Sequence, residues 1–286
     1  MRSSRRMPWR LGGGRSSASM FASGSPGTGR SFKDSWPEMN AVVRRLASSP
    51  FRLLPSSLRR RVVQAALHAT AGQAPPDALR ELLTIESDLS GLIDEQALAY
   101  DKGVHVKHRL MRYHDFFVDR IASSDRVLDI GCGYGAVAYS IATRSGATVV
   151  GLDMDPKNVE LARQRCQHER LSFVEGEAPR VLPPGPFSVI VMSNVLEHIE
   201  RRVEFLTEVQ ARLAPERWLI RVPMFNRDWR PSLRRELGLF AYSDPTHFTE
   251  YTRESFEAEM ADAGLQVTHL QVNWGEVWAV ASRRGM

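Results

Sequence analysis

The chain has 286 residues, 43% of them apolar and 25% charged, an ordinary globular composition that excludes fibrous and wholly unstructured classes. Its net charge of +5 is unevenly spread: residues 1–76 carry 13 basic and 2 acidic side chains, a local excess of +11, and the remainder is net −6. A polyanion argument is therefore confined to the first quarter, no apolar run reaches the roughly 18 residues of a membrane span, and two cysteines, Cys132 and Cys166, exclude a disulfide framework and fit a reducing, cytoplasmic setting.

Residues 1–38 are rich in Gly, Ser and Arg and poor in aliphatic side chains, so they offer too little apolar area to offset ordering entropy and read as a disordered basic tail. Within them Gly24-Ser-Pro-Gly-Thr-Gly29-Arg30-Ser31 matches a phosphate loop except for Arg in place of Lys. No strand precedes it and no periodic helix follows, so nothing would hold its amides around a phosphate. Residues 39–102 read as a helical extension: Leu58, Val62, Val63, Ala66 and Leu67 recur at helical spacing beside Arg59-Arg60-Arg61, and Asp77 after Pro75-Pro76 is placed to cap a second helix. A third helix is expected from Val106 to Ala122.

From Arg126 short apolar strands alternate with helices, the pattern of βαβ units on a parallel sheet. Strands are expected at 127–130, 148–152, 171–174, 187–192 and 218–222, with helices at 136–144, 156–168 and 195–213. After a helix at 253–263, strands 266–273 and 277–282 are joined by a connection so short that they must run antiparallel. The fold class is α/β: a Rossmann-like seven-stranded sheet, mostly parallel, with an antiparallel C-terminal hairpin, preceded by N-terminal helices and the tail. The catalytic domain is expected over 103–286.

Ligands of open parallel sheets sit outside the carboxyl ends of the strands. The first strand is followed by Asp129-Ile-Gly131-Cys-Gly133-Tyr-Gly135-Ala136, whose alternate glycines let main chain lie bare against a ligand. Alone this also satisfies a dinucleotide fingerprint, with Asp153 after the second strand as the ribose acid. Glu177, after the third strand, adds an acceptor for an adenine amino group, and Asp129 can accept from an ammonium. Together they describe a ligand with adenine, ribose and a cationic amino-acid end.

At these residues the sequence resembles the class I S-adenosylmethionine-dependent methyltransferases. Val127 to Gly135 matches their glycine motif, Asp153 their ribose acid, Glu177 the adenine-side acid that is more often Asp, and Ser193-Asn194-Val195-Leu196-Glu197-His198-Ile199 their segment after the fourth strand. The resemblance covers about 126–282 and implies S-adenosylmethionine as cofactor, held by Asp129, Gly131, Gly133, Gly135, Asp153, Met154, Glu177, Ala178, Ser193 and Asn194. Arg109, on the helix that enters the domain, is separately expected to close over the cofactor's carboxylate. Gly103 to Phe117 and Ser243 to Thr252 resemble a narrower subgroup found among glycan-biosynthesis methyltransferases. One departure is Ser188, where an acid usually follows the aromatic Phe187, at a position expected to face the sheet.

Methyl transfer to a hydroxyl needs positioning and a base. His247, with Asp244 and Glu250 nearby to orient it, and His198 are the candidates; Phe225, Asn226, Arg227 and Tyr251 are expected to line the acceptor pocket. His105, His108 and Asp115 read as a solvated helical face, and the chain is expected to work without a metal. The acceptor is expected to be a hydroxylated small molecule or a sugar or glycan, with a quinone or lipid hydroxyl at a membrane surface, or a nicotinamide-dependent oxidoreductase, as alternatives. Methylation of DNA bases is disfavoured by the missing base-holding segment and by the absence of a suitable nucleophilic thiol. Sequence-specific nucleic-acid binding is not expected; the basic N-terminal region would meet an anionic surface.

Overall fold

The computed structural model of the chain describes residues 50–285, so the expected tail and its phosphate-loop-like stretch lie outside the described residues. The chain divides into two compact units between Pro55 and Ser56; in the first, a 3₁₀ turn spans Pro50–Leu53. The second begins with helix α1 (Ser56–Ala71), whose Leu58, Val62 and Val63 stay exposed while Thr70 is buried and donates to Glu81 at 3.1 Å. Helix α2 (Pro75–Tyr100) starts at the prolines themselves, with Ala74 as N-cap and no side-chain cap. The expected cap, Asp77, instead sits inside the first turn and pairs with Arg80 at 2.9 Å, because proline at the first helical positions gives up only an N–H that has no helical partner anyway.

The helix expected over 106–122 is broken in two, α3 (Lys107–Met111) and α4 (Tyr113–Val118). Arg112 between them adopts a left-handed conformation with φ 52°. The break turns Tyr113, Phe116 and Phe117 into the core and leaves Leu110 exposed.

The sheet follows: β1 (Arg126–Ile130), α5 (Ala136–Ser145), β2 (Thr148–Asp153), α6 (Pro156–Arg165), β3 (Leu171–Glu175), β4 (Val189–Ser193), α7 (Arg202–Leu213), β5 (Arg217–Pro223), α8 (Arg230–Glu236), α9 (Arg253–Asp262), β6 (Leu265–Asn273) and β7 (Glu276–Arg283). Strand order is β3-β2-β1-β4-β5-β7-β6, parallel except that β7 runs antiparallel to both neighbours. The class expected from the sequence is therefore the one observed. Central strands are apolar on both faces because helices cover both: on β1, Leu128 and Ile130 pack with Trp218, Tyr251 and Phe256, and Val127 packs on the other side with Phe117 and Trp278. Ser188 lies at the foot of β4, where its hydroxyl donates to Asp125 at 2.8 Å and accepts from Arg126 N–H, away from the ligand end of the sheet.

One further boundary differs. Instead of one helix over 195–213, a 3₁₀ turn spans Leu196–His198 and α7 begins only at Arg202. Asn194 has φ 55°, a left-handed residue that sends the chain sharply out of β4 and interrupts the apolar periodicity. His198 thus projects from a short turn beyond the carboxyl end of the central strand β4, not from a helix. Helix α2 reaches the same end of the molecule, since Glu86 pairs with Arg230 at 3.1 Å and Arg234 at 3.2 Å on α8.

Candidate active site

The strand order reverses between β1 and β4, where a doubly wound sheet opens its crevice. A cleft of about 660 Å³ lies there, lined among others by Gly131, Asp153, Met154, Glu177, Ala178 and His198. Gly131 has φ 69°, and a Cβ on it would come within 2.5 Å of Val195. Gly133 differs: no heavy atom lies within 4 Å of where its Cβ would be, so its main chain is open to a ligand. Gly135, third in the turn, packs against Phe173.

Asp153 is buried and holds the turn in shape, accepting from Gly133 N–H at 2.8 Å and, on its other oxygen, from Asp155 N–H at 2.9 Å and Asn158 at 3.1 Å. A carboxylate has about four acceptor positions, so one remains for a ribose hydroxyl. Asp129 is almost fully buried and one of its oxygens has no hydrogen-bond partner. Burial, reinforced by the neighbouring Asp153 charge, pushes its carboxyl up to about 8. Asn194 also has a buried side-chain oxygen without a partner. Glu177 is exposed at the rim and pairs with Arg180 at 3.2 Å, while Met154 is 68% exposed beside Asp153. These open donor and acceptor positions fit a ligand with hydroxyl and ammonium groups, and the bare glycine main chain gives it room. Arg109 is not brought to this cleft: it is exposed and faces Asp101 at 3.5 Å.

The two histidines converge. The rings of His198 and His247 lie 4.6 Å apart, edge to face. Phe248 N–H donates to the Glu197 carbonyl at 2.9 Å, tying the His247 loop to the His198 turn. Each imidazole is oriented by a carboxylate: His247 Nδ1 lies 3.1 Å from Glu250, and His198 Nδ1 lies 2.9 Å from Thr246 Oγ1, which donates to Asp244. The two acids picked out beside His247 thus serve one histidine each. Glu250 is buried and also receives Arg227 and Ser243; burial opposes its ionisation, but hydrogen bonds from His247 and Ser243 hold its carboxyl below the usual range.

Glu197, next to His198 in the chain, is fully buried; neither carboxyl oxygen makes a side-chain hydrogen bond, its own backbone amide lies near it, and burial pushes its carboxyl up to about 8. Ligand atoms of Glu197, His198 and His247 lie within 4.8 Å of one another, a donor set able to hold a metal ion.

The expected acceptor residues divide. Asn226 and Arg227 are exposed after β5. Phe225 is largely buried, between Tyr242 and the Arg235 guanidinium. Tyr251 is a correction: it is 1% exposed, its hydroxyl donates to Glu259, and it packs on Phe256 in the core. Its backbone bridges to Met224 and Phe225, so it anchors the His247 loop to the end of β5 and does not line a pocket.

Sequence reasoning missed Arg221. It lies inside the apolar run of β5, is 2% exposed, and is held by Glu276 at 2.6 and 2.9 Å, by Ser193 at 3.0 Å and by the Tyr113 ring at 3.6 Å. A cation in a buried strand was the available signal. Ser193, expected at the cofactor, is thereby engaged from below. His108 and His114 likewise form a chain from Tyr113 to Ser140, and burial pushes their imidazoles down to about 4 and about 3. His108 therefore leaves the solvated face expected for it together with His105 and Asp115, of which Asp115 pairs with Arg112 and Arg144.

Residues 102–270 match a family model described as a methyltransferase domain. The ubiquinone biosynthesis O-methyltransferase, mitochondrial, of Schizosaccharomyces pombe is 32% identical over 103 residues, covering 34% of this chain and 37% of that protein. A probable phthiotriol/phenolphthiotriol dimycocerosates methyltransferase of Mycobacterium ulcerans is 29% identical over 164 residues, 56% of this chain and 55% of that one. The matches thus span about a third to a half of these relatives' length. In fold, the chain is similar to magnesium protoporphyrin IX methyltransferase from Synechocystis, solved with bound SAH, at TM-score 0.51 and 17% identity, covering 64% of this chain and 86% of that one.

Proposed function

From the premise that this chain belongs to the methyltransferase-domain family, we propose that it transfers a methyl group from S-adenosylmethionine to a hydroxyl of a sugar, glycan or other small acceptor. The single observation that carries this reading is the meeting of the β1/β4 cleft with two carboxylate-oriented histidines, since His198 lines the one and packs on His247. S-adenosylmethionine, when bound, supplies an electrophilic methyl on a sulfonium. Asp153 would take the ribose, Glu177 the adenine amino group, and Asp129 with the Gly131–Gly135 turn the amino-acid end. His247 is the base: Glu250 takes its Nδ1–H and leaves Nε2 to accept the acceptor's proton as the oxygen attacks. Amino acceptors are less suited, since an already nucleophilic amine has less use for a base.

The subgroup resemblance in 103–117 and 243–252 supports a glycan acceptor. A quinone or lipid hydroxyl is the second reading, favoured by the name of the Schizosaccharomyces relative. A cytoplasmic setting, with the basic N-terminal region meeting an anionic surface, belongs to the same proposal; no helix among the described residues is long and apolar enough to cross a membrane.

The test is product analysis with methyl-labelled cofactor and panels of sugar-nucleotide, glycan and phenolic acceptors, on the parent and His247→Ala. Label on an acceptor oxygen from the parent, and its loss in the variant with cofactor affinity retained, is expected. Full turnover by the variant removes His247 as base; reduced nicotinamide consumption with no methyl transfer would favour the oxidoreductase instead.

A further inference from the structure

We propose that Trp274, at the tip of the C-terminal hairpin, is a stacking platform for a pyranose ring of a glycan acceptor. The tip is a two-residue turn between the paired Asn273 and Glu276, and both of its residues are left-handed, Trp274 with φ 55° and Gly275 with φ 74°. Such a turn favours Asn, Asp or Gly at its first position, where a bulky side chain strains the backbone. Trp274 takes that position and is 69% exposed, so packing within the chain does not account for it. Strain with no local compensation points to a demand from outside, here a ligand that uses the indole face.

The tip is firmly held, and on the side of the proposed base. Glu276 is paired with the buried Arg221 at 2.6 and 2.9 Å, and the Gly275 carbonyl accepts from Met224 N–H at 2.8 Å. The Arg227 side chain lies against Gly275, 3.0 Å from where a Cβ would stand. Arg227 in turn pairs with Glu250, the acid that orients His247. These contacts lead from the tip to His247 along the β5 and β7 side of the sheet, whereas the cofactor turn follows β1. A rigid indole fixed there meets a ligand at little cost in ordering.

The surroundings select the class. A pyranose has a face of C–H groups and a rim of hydroxyls, so it suits an open aromatic ring with planar hydrogen-bonding groups nearby. The segment on which the tip rests carries the exposed Asn226 and Arg227 and, two residues on, a second open indole, Trp229, 63% exposed. A quinone or lipid group asks instead for enclosing apolar walls, which an open indole near an amide and a guanidinium does not provide. The platform deepens the methyl-transfer reading and rests on it for its purpose.

The experiment is a glycan microarray of neutral and uronic-acid oligosaccharides, probed with the full chain in the presence of S-adenosylhomocysteine, for the parent, Trp274→Asn and Trp274→Phe. Asparagine suits the left-handed position, so Trp274→Asn should unfold thermally no earlier than the parent, which separates ligand contact from folding. The parent is expected to retain at least one glycan, with affinity reduced about tenfold or more in Trp274→Asn, the scale of one lost stacking contact, and largely kept in Trp274→Phe. No glycan retained by the parent, or equal retention by Trp274→Asn, overturns the platform. The array glycans are then offered with methyl-labelled cofactor beside phenolic acceptors. Label on phenols alone, or on a glycan with the same KM in parent and Trp274→Asn, overturns the platform and leaves methyl transfer standing. Glycan binding that depends on Trp274 in a chain labelling no acceptor upholds the platform and sinks the methyl-transfer reading.

Discussion

Asp129 and Gly131 sit two residues apart and answer different demands. Gly131 combines a left-handed φ with the approach of Val195, so Gly131→Ala should cost about 1–3 kcal/mol from backbone strain and distort the turn. Thermal unfolding checks the first effect and cofactor titration the second. For Asp129 the folded carboxyl titrates near 8, whereas an unfolded aspartate titrates near its ordinary value, about 3.9. Between those values the folded chain holds a proton that the unfolded chain has lost, so this group's contribution to stability falls as pH rises. Asp129→Asn has no such proton. Denaturant unfolding of ligand-free protein should show the Asn variant gaining on the parent from pH 5 to 8, and a difference that stays constant would show that Asp129 is ionised when buried.

At the scale of elements, β5 is the strand on which the site's supports converge. Arg221 on β5 and Glu276 on β7 form a buried ion pair across the antiparallel junction. Removing one partner of such a pair leaves an uncompensated charge, so Glu276→Ala should destabilise by about 3–5 kcal/mol, read by chemical denaturation. The double variant Arg221→Met, Glu276→Leu should recover much of that loss. Legibility in the sequence followed the same division. Strands with both faces buried and helices of regular periodicity declared themselves through apolar runs, which is why the sheet, its hairpin and the glycine turn were readable. The break at Arg112 was not, because an arginine in the left-handed region leaves no compositional mark, and Asn194, a residue type that tolerates that region, was hidden by the apolar run on either side of it. Nor was Tyr251, where an aromatic in a polar loop looks like a pocket wall until its backbone is seen bridging to β5. The histidine pair was named from its residues, but that Glu197 completes it depended on the 3₁₀ turn replacing a helix.

At the scale of the molecule, the site draws on the ends of four strands and on the loop that Tyr251 and α9 hold in place, while the charge excess lies in the first 76 residues. Removing residues 1–38 should therefore leave cofactor affinity and turnover unchanged and lower partition onto anionic vesicles, measured by co-sedimentation; equal partition would assign the basic segment no such role. Helix α2 is joined to α8 through Glu86, and α8 follows the exposed Asn226 and Arg227, which the proposed function assigns to the acceptor. On that proposal, loosening α2 through Glu86 would change acceptor affinity more than cofactor affinity. The proposed orientation turns the cofactor's reactive end toward the two histidines, and a crystal structure of the full chain with S-adenosylhomocysteine would show it. The ribose is expected on Asp153 and the thioether sulfur turned toward His198 and His247; an adenosyl group lying away from Asp153, or a sulfur facing away from both imidazoles, would contradict it.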